Sequence, residues 1–217
     1  DLNRKRQGVQ REIVAQALEQ ISAGNLEDQS IIVLQNDDWK RGVVGVAAGK
    51  CIEAHYRPTI LLSGQGDELV GSARSISGFS IFDALTACQE HLVTYGGHDM
   101  AAGLTVKREQ FETFVNAMNQ YAKETITPEL LVQTIKPDVL ADLNEITHAS
   151  AMEIEKIGPF GIGNPTPIVQ IMGVPVDEAK AMGKEGSHLS IRVGRSSQNR
   201  VRCVWWNHGS LQSKIQR

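Results

Sequence analysis

The sequence predicts an α/β fold in two parts: a sandwich in which helices cover a mixed sheet, followed by a small OB-like β-barrel. Helical and strand-like segments alternate along the first part of the chain, which is typical of α/β domains. After Thr127-Pro128 the pattern changes to several strand-like runs with one helix, which is typical of a small barrel. A length of 217 residues is enough for two domains of ordinary size.

The first part begins with an amphipathic helix. Residues 3–23 place apolar side chains at a helical period, and Gly24-Asn25 supplies a stop signal. Ser80, followed by Asp83, predicts the capped start of a later helix. The remaining predicted elements are a strand at Ser30–Leu34, a helix at Gly42–Ala54, strands at Thr59–Ser63 and Leu69–Ser75, a helix from Ser80 to about His91, a strand at Ala101–Val106 and a helix at Glu109–Glu124.

The second part of the chain combines strand-like runs with one helical stretch. A Gly/Pro loop, GPFGIGNPTP, separates a helical stretch from the last strands. We therefore divide the chain into a connecting helix (1–24), an α/β domain (25–126) and an OB-like domain (127–217). The predicted elements of the last domain are a strand at Leu130–Leu140 broken at Pro137, a helix at Leu143–Ile157, and strands at Pro167–Val176, His188–Val193 and Arg200–Trp206.

The apolar runs and the cysteines of the sequence indicate in which cellular compartment the protein occurs. No apolar run approaches the ~18 residues that a membrane-spanning helix requires, and the first residues, DLNRKRQGVQREI, are charged rather than signal-like. The three cysteines Cys51, Cys88 and Cys203 form no CxxC pair and leave one thiol unpaired in any disulfide scheme, which favours a reducing compartment. We expect a cytoplasmic protein with no membrane contact.

Charge is distributed unevenly, although the net charge is only −3. Residues 179–217 contain eight Lys and Arg residues and one acidic residue, whereas residues 1–178 are acidic. A basic segment behind an acidic one indicates local contact with a polyanion. A solvated strand surface explains the same charges equally well.

The segment GSARS, Gly71–Ser75, ends a predicted strand shortly before the helix at Ser80. Glycine lets a ligand approach the backbone, the hydroxyls of Ser72 and Ser75 can donate hydrogen bonds, and the Arg74 guanidinium matches phosphate oxygens. A helix N-terminus nearby adds backbone N–H donors. The segment therefore has the parts of a phosphate site, and the alternative is a simple turn.

The segment YGGHDMAAG, Tyr95–Gly103, predicts a turn at Gly96, Gly97 and His98 that is followed by a strand. The glycines can expose backbone amides, and the imidazole can donate to a phosphate oxygen or to a base. The first alternative is a hairpin turn that has no functional role.

The second alternative is a metal site of the HD-phosphohydrolase kind, formed by His98 and Asp99 with His55 or His91. That architecture requires histidines on helices, whereas His98 follows two glycines and precedes a predicted strand. Two-metal hydrolysis needs several carboxylates or histidines that converge on the ions. The sequence has no dense cluster of such residues, so we expect no metal ligands in this chain.

A period of two in the last strands predicts a basic face. Arg192 points outward in HLSIRV, and Arg200, Arg202 and Trp206 share one face of RVRCVWW, with Trp205 on the core side. Arginines that contact phosphates and an aromatic ring that stacks on bases are features of single-strand binding. The alternative is that Trp206 covers a hydrophobic edge.

Three stretches of the chain, in this order, resemble a known family: NDDWKRGVVGVAAGKCIEAHYRPTILLS, GSARSISGFSIFDALTACQEHLVTYGGHDMAAGLTV and EIEKIGPFGIGNPTPIV. They are similar to the DHH-associated domain and the following OB-like domain of the RecJ single-strand-specific 5′→3′ exonucleases. This family belongs to the DHH phosphoesterase superfamily and acts in DNA repair and recombination. GSARS and GGH occur across the superfamily, whereas the GPFGIGNPTP loop and the basic barrel indicate RecJ.

The resemblance implies a role for each motif. Arg74 with Ser72 and Ser75 would grip a backbone or terminal phosphate, and Gly97 and His98 would contact phosphate beside the catalytic ions. Arg74 and His98 would therefore support catalysis, and the basic face would hold single-stranded DNA. The loop at Trp39 and Gly42 is similar to the family's DW-x-x-GV segment, although position 40 is lysine where the family often has histidine.

The resemblance also implies that the chain is the C-terminal part of the enzyme, and that Mn²⁺ or Mg²⁺ binds to a DHH domain that this chain lacks. The chain alone is expected to bind DNA weakly and to hydrolyse nothing. The expected partners are single-stranded DNA, single-strand-binding protein and a helicase.

Two other functions stay open: a phosphodiesterase of the same superfamily acting on oligonucleotides or cyclic dinucleotides, and a non-catalytic module that binds single strands or docks a partner.

Overall fold

The computed structural model describes residues 2–161, 163–194 and 200–215. The chain forms two compact units, residues 1–133 and 134–217. Within the described ranges, no helix is long and apolar enough to cross a membrane.

The first unit combines a five-stranded sheet with helices on both of its faces, so the predicted α/β class is confirmed. Its helices are α1 (Leu2–Ala23), α2 (Arg41–His55), α3 (Ile81–Ala87) and α4 (Phe111–Thr125). Its strands are β1 (Ile32–Gln35), β2 (Thr59–Ser63), β3 (Glu68–Arg74), β4 (Leu92–His98) and β5 (Ala101–Lys107). Short 3-10 helices lie at Leu26–Asp28, Gln89–His91, Arg108–Gln110 and Pro128–Leu131.

The sheet is mixed, in the order β1-β2-β3-β5-β4. β1 and β2 are parallel, and the other neighbouring strands are antiparallel. Two hydrophobic cores lie on opposite faces of the sheet. One core includes Ile32 and Leu61 and packs against α1 and α2, and the other includes Ile60 and Leu62 and packs against α3 and α4. Successive residues of β2 therefore contribute to opposite cores, as the alternation of side chains in a strand requires.

The structure corrects the predicted GGH turn. Gly96, Gly97 and His98 are the last residues of β4 and pair with β5, and the hairpin turn itself is Asp99–Met100. Gly97 requires glycine, because its φ is 152° and a Cβ there would overlap the carbonyl oxygen of Ala101. A glycine pair is common in turns, and here it instead permits close pairing of two strands.

The second unit contains an open three-stranded antiparallel sheet and a two-stranded parallel pair in its described residues. The sheet has the order β10-β9-β8 and consists of β8 (Val176–Met182), β9 (His188–Val193) and β10 (Val201–Trp205). The pair is β6 (Val139–Leu140) with β7 (Val169–Gln170), and the helices are α5 (His148–Glu155) and α6 (Gln212–Ile215). The described strands do not close into the barrel that the sequence predicts.

Two predicted elements of this region differ in extent. The strand expected at Leu130–Leu140 begins as a 3-10 helix and pairs only along β6, after Pro137, which has no N–H to donate. The helix expected at Leu143–Ile157 is interrupted at Thr147, whose side chain accepts a hydrogen bond from the Ser150 N–H and caps α5 as a new helix.

The run predicted as one strand at Pro167–Val176 is divided at Gly173, whose φ of 66° turns the chain. β7 lies before this turn and β8 begins after it. The sequence pattern does not predict β8, because VDEAKAM has charged residues and alanines in place of the β-branched and aromatic residues that favour strands.

Candidate nucleic-acid interface

Part of one sheet face in the first unit is not covered by a helix. α2 packs on β2 and β3, on the face that holds Leu61. Ser72 pairs with Leu61 and Arg74 pairs with Thr59, so both β3 side chains point to this same face. α2 covers this face only over β2 and β3. The same face continues over β5 and β4, where no helix packs on it in the described residues.

Two cross-strand rows begin on β3 beside α2 and extend over this uncovered area. The first row contains Arg74, Ala101 and His98, and the second contains Ser72, Gly103 and Gly96. We call these six residues the open half-face. Because neighbouring strands lie about 4.8 Å apart, Arg74 and His98 are about 10 Å apart across the sheet. The pairing thus brings GSARS and GGH together, as the phosphate-site prediction requires.

Arg74 is half-buried, and local contacts orient its guanidinium group. Nη1 donates to the carbonyl oxygen of Ala73 at 2.8 Å, and Nη2 lies over Gly45 of α2. Within the described ranges Arg74 forms no ion pair with a carboxylate. Its remaining N–H groups are available to an anionic ligand, and their fork matches the oxygens of a phosphate.

His98 is exposed at the end of β4, and the turn after it is tied to the N-terminus of α3. The Ser80 Oγ donates to Asp99 Oδ1 at 3.0 Å, and the Ile81 N–H donates to the Asp99 carbonyl oxygen at 2.9 Å. Ser80 also accepts from the Asp83 N–H at 3.1 Å, which is the cap that the sequence predicts. Asp99 therefore links the hairpin turn to the helix cap of Ser80.

Ser75 lies off the open half-face. Its side chain is buried, and Oγ donates to the carbonyl oxygen of Phe79 at 2.6 Å, which closes the loop before α3. Because the hydroxyl is occupied within the fold, we leave Ser75 out of the proposed site.

The loop at Trp39 supports the start of α2. Trp39 is buried, its Nε1 donates to Gln16 Oε1 of α1 at 2.8 Å, and its carbonyl oxygen accepts from Ser63 Oγ. Arg108 donates to Asp37 Oδ1 at 2.8 Å and holds the same loop from the other side. No local sequence pattern connects residues this far apart in the chain, so Gln16 and Arg108 could not be identified from the sequence.

The second unit presents the basic face that the period of its strands predicts. Arg202 of β10 pairs with Arg192 of β9, which pairs with Glu178 of β8, so the three side chains share one face. Ser190 lies on this face, accepts a hydrogen bond from Arg202 Nε at 3.0 Å and pairs with Lys180. We call the face basic and define it by Lys180, His188, Ser190, Arg192, Arg202 and Trp206.

Both tryptophans of this unit lie on the surface. Trp206 is 61% exposed, and its ring meets His188 edge-on with ring centroids 4.9 Å apart. Trp205 is 44% exposed and stacks on His208 at 4.3 Å, so the prediction that Trp205 belongs to the core is wrong. The described sheet is open, and no second layer of strands covers Trp205.

Two arginines of the predicted interface form ion pairs. Arg192 Nη1 lies 2.9 Å from Glu178 Oε2, and Arg200 Nη2 lies 3.3 Å from Asp177 Oδ2. All four side chains are partly exposed, and ion pairs of this kind contribute only about 0–1 kcal/mol, so a phosphate can replace the carboxylate. Two further basic residues of the segment, Arg195 and Arg217, lie outside the described residues.

The described part of the chain has no group of three or more His, Cys, Asp or Glu side chains that could hold a metal ion. Cys51 and Cys88 are free and buried, and Cys203 is free and exposed. Burial raises the pKa of Cys51 to about 11. Burial also raises the pKa of Cys88, and the carboxylate of Glu90 adds to that shift. The two buried thiols therefore stay protonated at neutral pH and are poor metal ligands and nucleophiles.

Comparison with known proteins identifies both regions. Residues 28–124 match the model of the DHHA1 domain, and residues 137–217 match the model of the RecJ OB domain. The chain is thus a DHHA1 domain followed by a RecJ OB domain. The single-stranded-DNA-specific exonuclease RecJ of Bacillus subtilis is 33% identical over 216 residues, which cover 99% of this chain and 27% of that protein. The chain belongs to the RecJ family, and the resemblance stated from the sequence is confirmed.

Solved structures agree with this assignment. The crystal structure of RecJ from Thermus thermophilus in complex with Mn²⁺ matches with a TM-score of 0.78 and 29% identity, over 96% of this chain and 29% of that one. The complex of the same protein with Mg²⁺ matches with a TM-score of 0.72 and 29% identity, over 96% of this chain and 31% of that one. This chain therefore spans less than a third of the length of these relatives.

Proposed function

We propose that this chain is the substrate-holding part of a single-strand-specific DNA exonuclease, an enzyme that hydrolyses phosphodiester bonds from the 5′ end in DNA repair and recombination. In this proposal the open half-face of the first unit contacts phosphates, and the basic face of the second unit holds the strand. The name of the Bacillus subtilis relative, a single-stranded-DNA-specific exonuclease, supports the substrate class.

The observation that carries the proposal is the open half-face. In the described residues, apart from the chain neighbours of each glycine, no atom lies within 4 Å of a Cβ placed on Gly96, and the nearest atom to one placed on Gly103 is 3.9 Å away. A nucleic-acid backbone can therefore approach the sheet closely between Arg74 and His98. The guanidinium and the imidazole would then donate hydrogen bonds to phosphate oxygens, contacts that position a strand without reading its sequence.

The basic face would supply the second region of contact. Lys180, Arg192 and Arg202 would contact phosphates, and the exposed ring of Trp206 would stack on bases. Each stacked base contributes about 1–3 kcal/mol without preference for sequence. A dinucleotide needs no such extended surface, which favours a polymer as the substrate.

The Mn²⁺ or Mg²⁺ of the complete enzyme is assigned in this proposal to a DHH domain outside this segment, because the described residues offer no ligand cluster. The protein partners that the resemblance suggests are single-strand-binding protein and a helicase. The three free cysteines fit a reducing compartment, and we propose the cytoplasm.

Binding of a fluorescent oligothymidylate to the chain tests the proposal. The variant Arg74→Ala should weaken binding about tenfold, because a charge-assisted hydrogen bond to phosphate is lost. Arg202→Ala should weaken binding about threefold and reduce the slope of log K against log salt by about 0.7, the value for one phosphate contact on a single strand. In the complete nuclease, Arg74→Ala should lower kcat strongly, whereas Arg202→Ala should mainly raise KM.

Lys123→Ala is the matched control. Lys123 is exposed on α4, which packs on the opposite face of the sheet, so the variant removes one positive charge away from the open half-face. It should leave the affinity within about twofold of the original value, since distant charges are screened. If Lys123→Ala weakens binding as much as Arg74→Ala does, net charge and not the site determines affinity, and the proposal fails.

A further inference from the structure

Gly45 lies where α2 meets Ser72 and Arg74 of β3. A Cβ placed on Gly45 would lie 2.7 Å from Arg74 Nη2 and 3.1 Å from Ser72 Oγ. The first distance is shorter than a methyl carbon and a nitrogen can approach unless one of them moves. The guanidinium therefore occupies a space that exists only because residue 45 has no side chain.

We infer that Gly45 is a positioning residue for DNA binding: it lets the Arg74 guanidinium and the Ser72 hydroxyl lie against α2 at the border of the open half-face. The inference rests on the proposed function, because it takes Arg74 and Ser72 as phosphate contacts. Gly45 itself acts only through these two side chains.

Contacts on two sides define the position of the guanidinium. Nη1 is held by the carbonyl oxygen of Ala73 at 2.8 Å, and Nη2 is placed over Gly45. An arginine that is ordered before the ligand arrives loses less side-chain entropy on binding. A methyl group at position 45 would push Nη2 aside, since the far end of an arginine moves easily, and it would also press on Ser72, whose Oγ and Cβ lie 3.1 and 3.3 Å from the Cβ position.

Close packing of α2 on the sheet also favours a small residue at position 45, because a Cβ there would lie 3.3 Å from Ser72 Cβ. The fully buried residues of α2 are Val44, Ala47, Ala48 and Cys51, and Gly45 is only half-buried. The shortest distance from a Cβ on Gly45 is to Arg74 Nη2, so the position of the guanidinium is a second reason for glycine there. At Gly49, one turn later, no atom of the described residues outside the helix backbone and the chain neighbours lies within 4 Å of the Cβ position.

Gly49 therefore provides the matched control for a test of Gly45. Both glycines are half-buried in α2, and both Gly45→Ala and Gly49→Ala replace a poor helix former with a good one. Gly49→Ala should raise Tm by about 2–4 °C, and Gly45→Ala should not lower Tm. A change in binding without a loss of Tm then reports on the side chains and not on the fold.

The binding experiment uses the same oligothymidylate and a double-mutant cycle. Gly45→Ala should weaken binding about fivefold, and Gly49→Ala should leave it unchanged. In the background of Arg74→Ala, Gly45→Ala should have little further effect, because the two residues act as one unit. If Gly45→Ala weakens binding equally in both backgrounds, it acts through the fold or the helix, and the inference is overturned.

A second measurement observes Arg74 directly without DNA. The NMR signal of the Arg74 Nε–Hε group should shift in Gly45→Ala and stay in place in Gly49→Ala. An unchanged signal in Gly45→Ala overturns the inference even if Arg74→Ala weakens binding and the proposed function stands. If Arg74→Ala leaves binding unchanged, Arg74 is not a phosphate contact, and the proposed function of Arg74 fails. The role of Gly45 in binding then fails too, even if the NMR signal shows that Gly45 positions the Arg74 guanidinium.

Discussion

The two units bury very different amounts of hydrophobic surface. The first has a core on each face of its sheet, with large side chains such as Leu61, Phe114 and Met118 fully buried. In the described part of the second unit, the buried hydrophobic residues are Ala179 and Leu189. Many of its large apolar side chains are exposed instead: Ile135, Val139, Leu140, Met152, Ile157, Ile168, Met172, Val176, Val204, Trp205 and Trp206.

In the proposed function, this difference corresponds to two kinds of binding surface. Arg74 and His98 lie on strands that a packed core holds in place, so their polar groups have defined positions. The second unit offers charged and aromatic side chains on an open sheet, which can adapt to different bases. We therefore expect substitutions in the first unit to lower both affinity and turnover, and substitutions on the basic face of the second unit to lower affinity alone.

Core substitutions give the largest effect that this comparison predicts. Phe114→Ala should lower the free energy of unfolding of the first unit by about 4 kcal/mol, because it leaves a cavity in a packed core. Leu189→Ala should cost the second unit only about 2 kcal/mol, since its partly exposed surroundings can collapse into the gap. Amide hydrogen exchange measures both losses separately for each unit. Equal losses would show that the second unit is as well packed as the first.

The same difference explains how far the sequence predicts the fold. α1 and β2 are found within a residue of their predicted bounds, because a buried stripe or a doubly buried strand imposes a clear apolar pattern. In the second unit β9 has its predicted bounds, whereas β8 is absent from the prediction because its charged residues and alanines give no strand pattern. The GGH segment is ambiguous for another reason, because glycine occurs in both turns and strands. Its assignment to β4 depends on pairing with β5, where the Ala101 carbonyl oxygen lies too close to Gly97 for a side chain.

Local motifs reveal some residues of the candidate site, whereas contacts between residues far apart in the sequence do not show in any motif. Ser72, Arg74 and His98 can be named from their motifs, but their place on one face depends on strand register. The GSARS motif predicts Ser75 beside Arg74, whereas successive residues of an extended chain point in opposite directions, and the Ser75 hydroxyl turns into the fold. Gly45 is far from β3 in sequence, so no pattern reveals its contact with Arg74.

The ion pair between Glu178 and Arg192 should have a smaller effect on DNA binding by the basic face. Glu178→Gln frees Arg192 from its ion pair and should raise the affinity for oligothymidylate about threefold, the range of an exposed ion pair. Glu155→Gln in α5 removes the same charge from an exposed position and should change affinity less. Titrations of both variants at one salt concentration make the comparison. Equal gains would mean that net charge matters and that the Glu178–Arg192 pair does not.

In the proposed function, single-stranded DNA contacts both the open half-face and the basic face. Titration of the isotope-labelled chain with oligothymidylate, followed by amide NMR signals, locates these contacts residue by residue. The largest shifts should occur at Arg74, Gly96 and Gly103 in the first unit and at Arg202 and Trp206 in the second, with α4 unchanged. Shifts concentrated on α3 and α4, with β4 and β5 unaffected, would show that DNA does not bind to the open half-face.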